Sequence, residues 1–425
     1  MGDELGAYTR ALQGLFARTT GKSKFGLERT EALLKALGDP HTRFDVFHVA
    51  GTNGKGSVCA TLEAVLRAQG KRVGKYTSPH LVDFRERFLV DGAAVDAPYV
   101  TRFIEEWTPT VERLGATFFE ATTAMAFALF AEREIDVAVV EAGLGGRLDS
   151  TNVVKPIVAA VTSIGIDHTE YLGESREEIA FEKAGIFKSG SAAVVGEPDA
   201  TIADLLVRMA HAALADPVVA VRSRYAPDRI YLSATGTQFT MADEEWHTPL
   251  IGEHQAWNAA TAVAMLDACG PRYARDHTFV RAALERVRLP GRFQRVGEYI
   301  FDVAHNPDGA RVLARTLREV TPAGPVCVLL CVLADKDWRG VMQELSGVAG
   351  NFVLTMAPTA PASRAWNPED ALRYAHDSGW DALVEQDFDR ALERARTLGK
   401  TVLITGSFHT VGDAMVRLQV DPIAG

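Results

Sequence analysis

Apolar residues run together along this chain without the alternation of apolar and polar positions that marks a half-exposed strand. Four such runs come early, each followed by a helical stretch or a polar loop: "FDVFHVAGT", "RVGKYTS", "DVAVVEAG" and "IVAAVTSIG". Strands that are apolar on both sides are buried on both faces, and helices between them favour parallel pairing. The pattern predicts an α/β protein with a parallel sheet covered by helices.

The clearest helical pattern follows the second of these runs. Its apolar positions recur every three or four residues over four turns: Val100, Phe103, Ile104, Trp107, Val111 and Leu114. This spacing predicts an amphipathic helix that covers one face of the sheet.

A second series of strands begins after Pro290 and Gly291. Its runs are "EYIFDVAH", "PVCVLLCVL", "NFVLTMAP" and "TVLITGS". We place a domain boundary close to residue 295, which gives domains over residues 1–294 and 295–425. The cleft between two such domains is the usual place for a ligand.

Composition narrows the class of protein. The 425 residues are 47% hydrophobic and 24% charged, with a formal net charge of -10. An acidic chain is unsuited to nucleic acid or anionic membrane, so small-molecule chemistry is expected. No apolar run is long enough to span a membrane, the amino terminus lacks the apolar core of a signal peptide, and the four cysteines form no C-x-x-C pair. We therefore expect a cytoplasmic protein.

The segment "VFHVAGTNGKGSVCATLEAVL" contains a glycine-rich turn between a strand and a helix. It departs from the usual G-x-x-x-x-G-K-[ST] pattern, because Gly56 separates Lys55 from Ser57. A turn at a helix start directs backbone N–H groups at one point, which suits a polyphosphate, and Lys55 would reach the outer phosphates. The simpler alternative is a turn that only joins strand to helix. We predict a phosphate site, with the helix beginning at about Ser57.

Polar residues at other strand ends are candidate metal ligands. Glu141 ends an apolar strand, and Asp167 and His168 follow the next one, at the edge where ligands collect in doubly wound sheets. Ser78, before Pro79, could replace the hydroxyl that Gly56 displaces. Each has a simpler interpretation: a solvated carboxylate, a structural histidine and an ordinary turn serine.

Further candidates stand later in the chain. Lys183 lies in a predicted helix; in a site of low dielectric its amine would be reactive, whereas on the residues alone a solvated helical face is the simpler interpretation. Asn258 could read a base edge, and Arg292 could bind a phosphate. Asp302 and His305 end the first strand of the second domain.

Taken together, these segments resemble the Mur ligase superfamily and, within it, the folylpolyglutamate synthase family with its bacterial bifunctional dihydrofolate synthases. The matching segments occur in the family's order: "HVAGTNGKGS", "YTSPHL", "EAGLGGRLDSTN", "SIGIDHTEYLG", "EKAGIFK", "GEHQAWNAA", "PGRFQ", "DVAHNP", "LADKD" and "ITGSFHTVG". The glycine between lysine and serine is the family's own form of the loop. Each segment is weak alone, and the ordered set is highly specific.

The resemblance implies a P-loop-type, mostly parallel sheet domain over residues 1–294 with the folate site, and a smaller Rossmann-like α/β glutamate ligase domain over residues 295–425. It also implies an ATP- and Mg²⁺-dependent amide ligase. ATP would phosphorylate a pteroate or folate carboxylate, and the amine of L-glutamate would displace the phosphate. We expect small-molecule substrates only, no nucleic acid or membrane partner, and a monomer.

The resemblance also implies a role for each site residue. The ATP contacts would be Thr52, Asn53, Gly54, Lys55, Gly56, Ser57, Asn258, Arg292 and Asp302. The Mg²⁺ ligands would be Ser78, Glu141, His168 and a carbamylated Lys183. The substrate contacts would be Phe119 and Asp149 for the pterin and His305 and Ser407 for glutamate, with Lys55, Lys183, Arg292 and His305 in catalysis. One departure is Val303, where the family commonly has glycine.

Two other interpretations compete with this one. A muramyl-peptide ligase uses the same chemistry on another carboxylate, but those enzymes carry a whole domain ahead of the ATP loop, and about 50 residues precede it here. A non-catalytic nucleotide switch would be expected to carry an N-K-x-D element, which this sequence lacks.

Overall fold

Eight strands form the larger sheet of the structure, a computed structural model that describes residues 2–17, 26–320 and 326–422. The strands are β1 (Asp45–Ala50), β2 (Val73–Tyr76), β3 (Phe88–Val90), β4 (Ala93–Ala94), β5 (Val137–Glu141), β6 (Val158–Val161), β7 (Ala192–Val195) and β8 (Val218–Ala220). Their order is β4-β3-β2-β5-β1-β6-β7-β8. All neighbours from β2 to β8 are parallel, whereas β3 and β4 add an antiparallel edge.

The register of the central strands sets the position of the site. Val49 of β1 pairs with Glu141 of β5, and Ala50 pairs with Val161 of β6. The segments that follow β1, β5 and β6 therefore leave the sheet side by side at its carboxyl edge.

Eleven helices precede the strand β12 in the described part of the chain: α1 (Gly2–Phe16), α2 (Glu28–Ala36), α3 (Lys55–Ala68), α4 (Ala97–Leu114), α5 (Phe118–Glu132), α6 (Thr169–Leu172), α7 (Arg176–Ala184), α8 (Ala200–Ala212), α9 (Val221–Arg224), α10 (Glu253–Ala268) and α11 (His277–Leu284). The α3 helix packs on β1, β2 and β5. Apolar residues of α7 and α8 form one core with β6 and β7. Capping boxes start α5, at Thr117 with Glu120, and α7, at Ser175 with Glu178, and both satisfy N–H groups of the first turn.

The described residues divide into two compact units. The first runs up to Pro79 and continues through Arg85–Ala226 and Trp257–Leu284; it holds the eight-stranded sheet. The second comprises His80–Phe84, Pro227–Ala256 and the chain from Glu285 onward.

The second unit contains two sheets. The smaller is antiparallel, with the order β11-β10-β9, and comprises β9 (Asp228–Ser233), β10 (Gly236–Met241) and β11 (Glu244–Thr248). The larger comprises β12 (Gln294–Val296), β13 (Tyr299–Phe301), β14 (Val326–Leu330), β15 (Ala349–Leu354), β16 (Ala382–Val384) and β17 (Thr401–Thr405). Its order is β12-β13-β17-β14-β15-β16, parallel except at β12.

Two layers of helices cover the six-stranded sheet. They are α12 (Pro307–Val320), α13 (Trp338–Ser346), α14 (Pro368–Asp377), α15 (Phe388–Leu398) and α16 (Phe408–Arg417). One apolar core contains residues of α12, α13 and α14, and a second contains residues of α15 and α16. Because strand residues alternate between these cores, both faces of the sheet are buried.

The predicted α/β class is confirmed, with one mostly parallel sheet in each unit. The pattern missed the β3–β4 edge and the β9–β11 sheet, whose strands are short or carry many polar residues. The α3 helix begins at Lys55, two residues before the predicted start. In the described part of the chain, no helix is long and apolar enough to cross a membrane.

Candidate active site

The glycine-rich turn occupies the carboxyl edge of the larger sheet, between β1 and α3. Gly54 precedes the helix in the left-handed backbone region, with φ 89°, and offers no side chain to cap the first turn. Thr52 N–H donates to Ser163 O at 2.7 Å, and Gly165 N–H donates to the Thr52 hydroxyl at 3.0 Å. The turn is therefore held against the segment after β6, and its helix presents uncapped N–H groups of the kind that bind phosphate.

Two glycines of the turn cannot be replaced without strain. A Cβ at Gly54 would lie 2.3 Å from Asn258 Oδ1, and a Cβ at Gly51 would lie 1.9 Å from Thr162 Oγ1. The backbone φ is also positive at both glycines, 89° at Gly54 and 151° at Gly51. The structure thus brings the predicted Asn258 against the predicted phosphate turn, within the first unit.

Two lysines converge on one carbonyl of the turn. Lys55 Nζ donates to Gly51 O at 3.0 Å and to Thr52 O at 3.1 Å. Lys183 Nζ, from α7, also donates to Gly51 O, at 3.0 Å. Lys183 is 5% exposed, so its interpretation as a lysine on a solvated helical face is wrong. Both side chains are therefore held at the phosphate turn, and Lys55 supplies a cation of the kind that binds a polyphosphate.

Glu141 lies beside this turn, at the end of β5, and is 6% exposed. Its Oε2 accepts a hydrogen bond from Ser78 N–H at 3.3 Å, and its Oε1 lies 3.9 Å from Lys55 Nζ. The Glu141 carboxylate beside the phosphate turn offers hard oxygen donors of the kind that Mg²⁺ prefers, so Glu141 fits the predicted metal. The described contact of Ser78 is made by its N–H group, and the role of its hydroxyl as a ligand stays a prediction.

His168 stands seven residues beyond the end of β6. Its backbone is left-handed, with φ 52°, its side chain is 38% exposed, and its Nε2 lies 3.9 Å from Asp167 Oδ2. Across the described ranges no group of three or more His, Cys, Asp and Glu side chains could hold a metal ion. Of the predicted ligands, only Glu141 and His168 belong to these residue types, so this finding does not decide whether they bind a metal. The role of His168 stays a prediction.

Phe119 and Asp149 meet at one glycine of the turn after β5. A Cβ at Gly143 would lie 2.2 Å from the Phe119 ring and 3.3 Å from Asp149 Oδ2. Asp149 Oδ2 accepts from the N–H groups of Gly143 (3.0 Å) and Leu144 (2.8 Å). Burial raises the pKa of Asp149, and these donors oppose the rise. The two residues predicted for the pterin therefore lie together, with the ring only half-buried.

Three predicted site residues of the second unit stand next to β12 and β13 in the chain: Arg292 precedes β12, and Asp302 and His305 follow β13. Asp302 accepts from Phe293 N–H at 2.8 Å and from Ala304 N–H at 2.9 Å; burial raises its pKa, and the Arg292 charge opposes this. The Arg292 guanidinium lies 5.2 Å from the centre of the Phe408 ring, and the His305 and Phe408 ring centroids are 6.0 Å apart. These three side chains share one end of the sheet.

Ser407 caps α16 in the same unit. Its hydroxyl accepts from Thr410 N–H at 3.0 Å and is buried. The described bonds of Ser407 thus organise the helix start, and its predicted contact with glutamate stays a prediction.

Sequence reasoning missed the hydroxyls that hold the phosphate turn. Thr162 Oγ1 and Ser163 Oγ both donate to Asn53 O, at 2.6 and 3.0 Å. Thr162 and Ser163 directly follow the buried parallel strand β6, and residues at that place lie at the edge of the sheet where ligands bind. This position could have predicted their contact with the turn.

Comparison of the sequence with models of known protein families defines the class of protein. Residues 49–266 match the Mur ligase middle domain, and residues 291–408 match the Mur ligase glutamate ligase domain. The dihydrofolate synthase/folylpolyglutamate synthase of Escherichia coli (strain K12) is 38% identical over 97% of this chain and 94% of its own length. The chain belongs to the dihydrofolate synthase/folylpolyglutamate synthase family of Mur ligases, as its motifs predicted. This membership disfavours a muramyl-peptide ligase and a non-catalytic switch.

Solved structures agree. Mycobacterium tuberculosis folylpolyglutamate synthase complexed with ADP superposes with a TM-score of 0.90, at 33% identity, covering 99% of this chain and all of that chain. A bifunctional folylpolyglutamate synthase/dihydrofolate synthase with Mn, AMPPNP and L-glutamate bound gives a TM-score of 0.81 at 34% identity, covering 96% and 98%.

Proposed function

We propose that this ATP-dependent ligase adds L-glutamate both to dihydropteroate and to the γ-carboxylate of reduced folates, releasing ADP and phosphate. One observation carries the proposal: Lys55 and Lys183 converge on the Gly51 carbonyl beside Glu141 and the uncapped start of α3. The Lys55 cation, the helix N–H groups and the hard carboxylate of Glu141 suit phosphoryl transfer with a divalent metal, and Lys183 lies within reach of the same turn.

The chemistry proceeds in two displacements. A carboxylate oxygen of the substrate attacks the γ-phosphorus of ATP, the bond to the β-phosphate oxygen breaks, and ADP leaves. The unprotonated amine of glutamate then attacks the acyl carbon, and phosphate leaves as the amide forms. Negative charge develops in both steps, and Lys55 and the N–H groups of the turn would offset it. Mg²⁺ held by Ser78 and Glu141 would neutralise phosphate charge and orient the transferring group.

Glutamate must lose a proton from its ammonium group before it attacks. His305 Nδ1 lies 2.9 Å from Val303 O, and because a carbonyl only accepts, Nδ1 is the protonated nitrogen. A neutral His305 would then use Nε2 to accept the proton. The tautomer supports this proposed role as a base, whereas the place of His305 on the glutamate side and the nucleotide roles of Arg292 and Asp302 rest on the family resemblance.

The decisive experiment measures ADP release by purified protein with ATP, Mg²⁺ and glutamate, using dihydropteroate and tetrahydrofolate in parallel. We expect ADP release with each acceptor only when glutamate is present. Release with one acceptor alone would reduce the proposal to a single activity, and release with neither would overturn it.

Glu141→Gln tests the metal site. The amide keeps the shape of the side chain and loses its charge, so we expect kcat to fall about 100-fold and the half-saturating Mg²⁺ concentration to rise about tenfold or more. The measurement is an Mg²⁺ titration of the initial rate. Glu132→Gln, an exposed partner of Arg102, is the matched control and should leave both values unchanged. A normal Mg²⁺ titration for Glu141→Gln would remove this strand end from the metal site.

Phe119→Ala tests the pterin pocket. Loss of a stacked aromatic ring should raise the KM for dihydropteroate about tenfold or more, with little change in the KM for ATP. Phe119→Tyr retains the ring and should keep a near-normal KM. An unchanged KM for Phe119→Ala would place the pterin elsewhere.

We also propose that the chain works as a monomer in the cytoplasm. All four cysteines are free thiols, which suits a reducing compartment. Light scattering on the purified protein would test the monomer directly; a dimer at assay concentration would refute it.

A further inference from the structure

Three consecutive residues after the Gly143–Leu144 turn each bond a different element of the first unit. Asp149 accepts from the N–H groups of the turn itself. The Ser150 and Thr123 hydroxyls are 2.6 Å apart, which ties the segment to α5, the helix that carries Phe119. The Thr151 hydroxyl lies 2.9 Å from Nε2 of His48, which ties the segment to β1. This segment therefore connects the Gly143–Leu144 turn to α5 and to β1.

The proton positions in the β1 branch follow from the donors available. The Asp149 carboxylate accepts four hydrogen bonds: from the N–H groups of Gly143, Leu144 and Thr151 and from the Thr151 hydroxyl. Because a carboxylate can only accept, the Thr151 hydroxyl donates its proton to Asp149 Oδ1. The Thr151 oxygen must then accept its second bond from His48, so the imidazole carries its proton on Nε2. Burial lowers the pKa of His48 to about 3, with Lys188 adding to the effect, and the ring is neutral at physiological pH.

Histidine is a costly residue for this position unless the bond to Thr151 matters. The His48 side chain is fully buried, and its Nδ1 has no hydrogen-bond partner. A buried polar nitrogen left without a partner destabilises the fold, whereas leucine of similar size would fill the space without that cost. What histidine adds is a single donor, aimed at Thr151.

We propose that His48 is a positioning residue for the aromatic substrate: through Thr151 and Asp149 it fixes the Gly143–Leu144 turn on which the Phe119 ring packs. It thereby sets the affinity for pteroate and folate without touching either. This inference rests on the proposed placement of the pterin at Phe119 and Asp149.

The test compares two pairs of variants in the holoenzyme with ATP, Mg²⁺ and glutamate. His48→Leu and Thr151→Val each remove one donor of the chain, and we expect the KM for dihydropteroate to rise about three- to tenfold, as for loss of one buried hydrogen bond. His48→Gln keeps an N–H donor and Thr151→Ser keeps the hydroxyl, so both should stay within about twofold of the wild-type KM. The KM for ATP and for glutamate should not change in any of the four.

The outcomes separate this inference from the proposed function. A normal KM for dihydropteroate in His48→Leu and Thr151→Val, with a raised KM in Phe119→Ala, would overturn the role of His48 and leave the pocket in place. An equal rise in the KM for ATP would show a general structural effect and would also overturn it. A normal KM in Phe119→Ala would remove the pocket and the inference together. Thr151→Val also removes the bond to Asp149, so the decision on His48 rests on the His48 variants. If His48→Leu does not fold, His48→Phe, which fills the buried space without a donor, takes its place.

Discussion

Replacing Lys55 by alanine is expected to lower kcat by at least about a thousandfold with either acceptor, since it removes the fixed charge nearest the predicted phosphates. The fold should survive, because the Gly51 carbonyl keeps its bond from Lys183, and the turn keeps its bonds to Ser163 and Gly165. The measurement is the steady-state rate, with circular dichroism to confirm folding.

Lys155→Ala is the matched control for this change. Lys155 is exposed, and its loss should leave the rate unaltered. Retention of more than about a tenth of the wild-type rate by folded Lys55→Ala would exclude the lysine from the mechanism.

Lys183→Ala is expected to lose at least about 100-fold in rate, and acetate or formate should restore part of it. We propose that the Lys183 amine reacts with CO₂, forming an N–C bond and releasing a proton, to give a carbamate that ligates a second Mg²⁺. The carbamate nitrogen keeps one N–H, which can still donate to Gly51 O. Burial of the side chain supports the reaction, because low dielectric favours the uncharged amine that carbamylation requires.

Two comparisons make the Lys183 test specific. The same carboxylic acids should not rescue Lys55→Ala, since that variant lacks a cation and not an anion. Lys183→Arg should not be rescued either, because its guanidinium keeps the wrong charge in the site. A high-resolution map of wild-type enzyme with nucleotide and Mg²⁺ that shows an unmodified amine at Lys183 would refute the carbamate, as would a normal rate for Lys183→Ala.

Much of the site could be predicted from the sequence because its residues follow buried parallel strands. Lys55, Ser78 and Glu141 each stand within a few residues of the end of β1, β2 or β5, and such ends meet at one edge of a sheet. Local pattern was enough to predict their place at this edge, and their roles in binding phosphate and metal stay predictions. It was not enough for Lys183, since nothing in the spacing of α7 shows that this residue faces the Gly51 carbonyl.

The hydrogen-bond chain from His48 to Asp149 lay beyond sequence reasoning for a different reason. His48 and Thr151 are 103 residues apart in the chain and meet only because β1 lies beside β5 and β6 in the sheet order. From the sequence alone, a histidine within a buried strand cannot be distinguished from an ordinary core residue, because its hydrogen-bond partner is not known.

The sequence by itself determined the α/β class, the alternation of strand and helix and the glycine-rich turn, because these depend on periodicity and on residues close together in the chain. It also determined the family, through the ordered set of short motifs along the chain. The tertiary structure alone decided which side chains became buried and which donors they met. It placed Lys183 on the Gly51 carbonyl, the Thr162 and Ser163 hydroxyls on Asn53, and Phe119 on Gly143. Burial and long-range hydrogen bonds are properties of the packed sheet, and a short stretch of sequence cannot specify them.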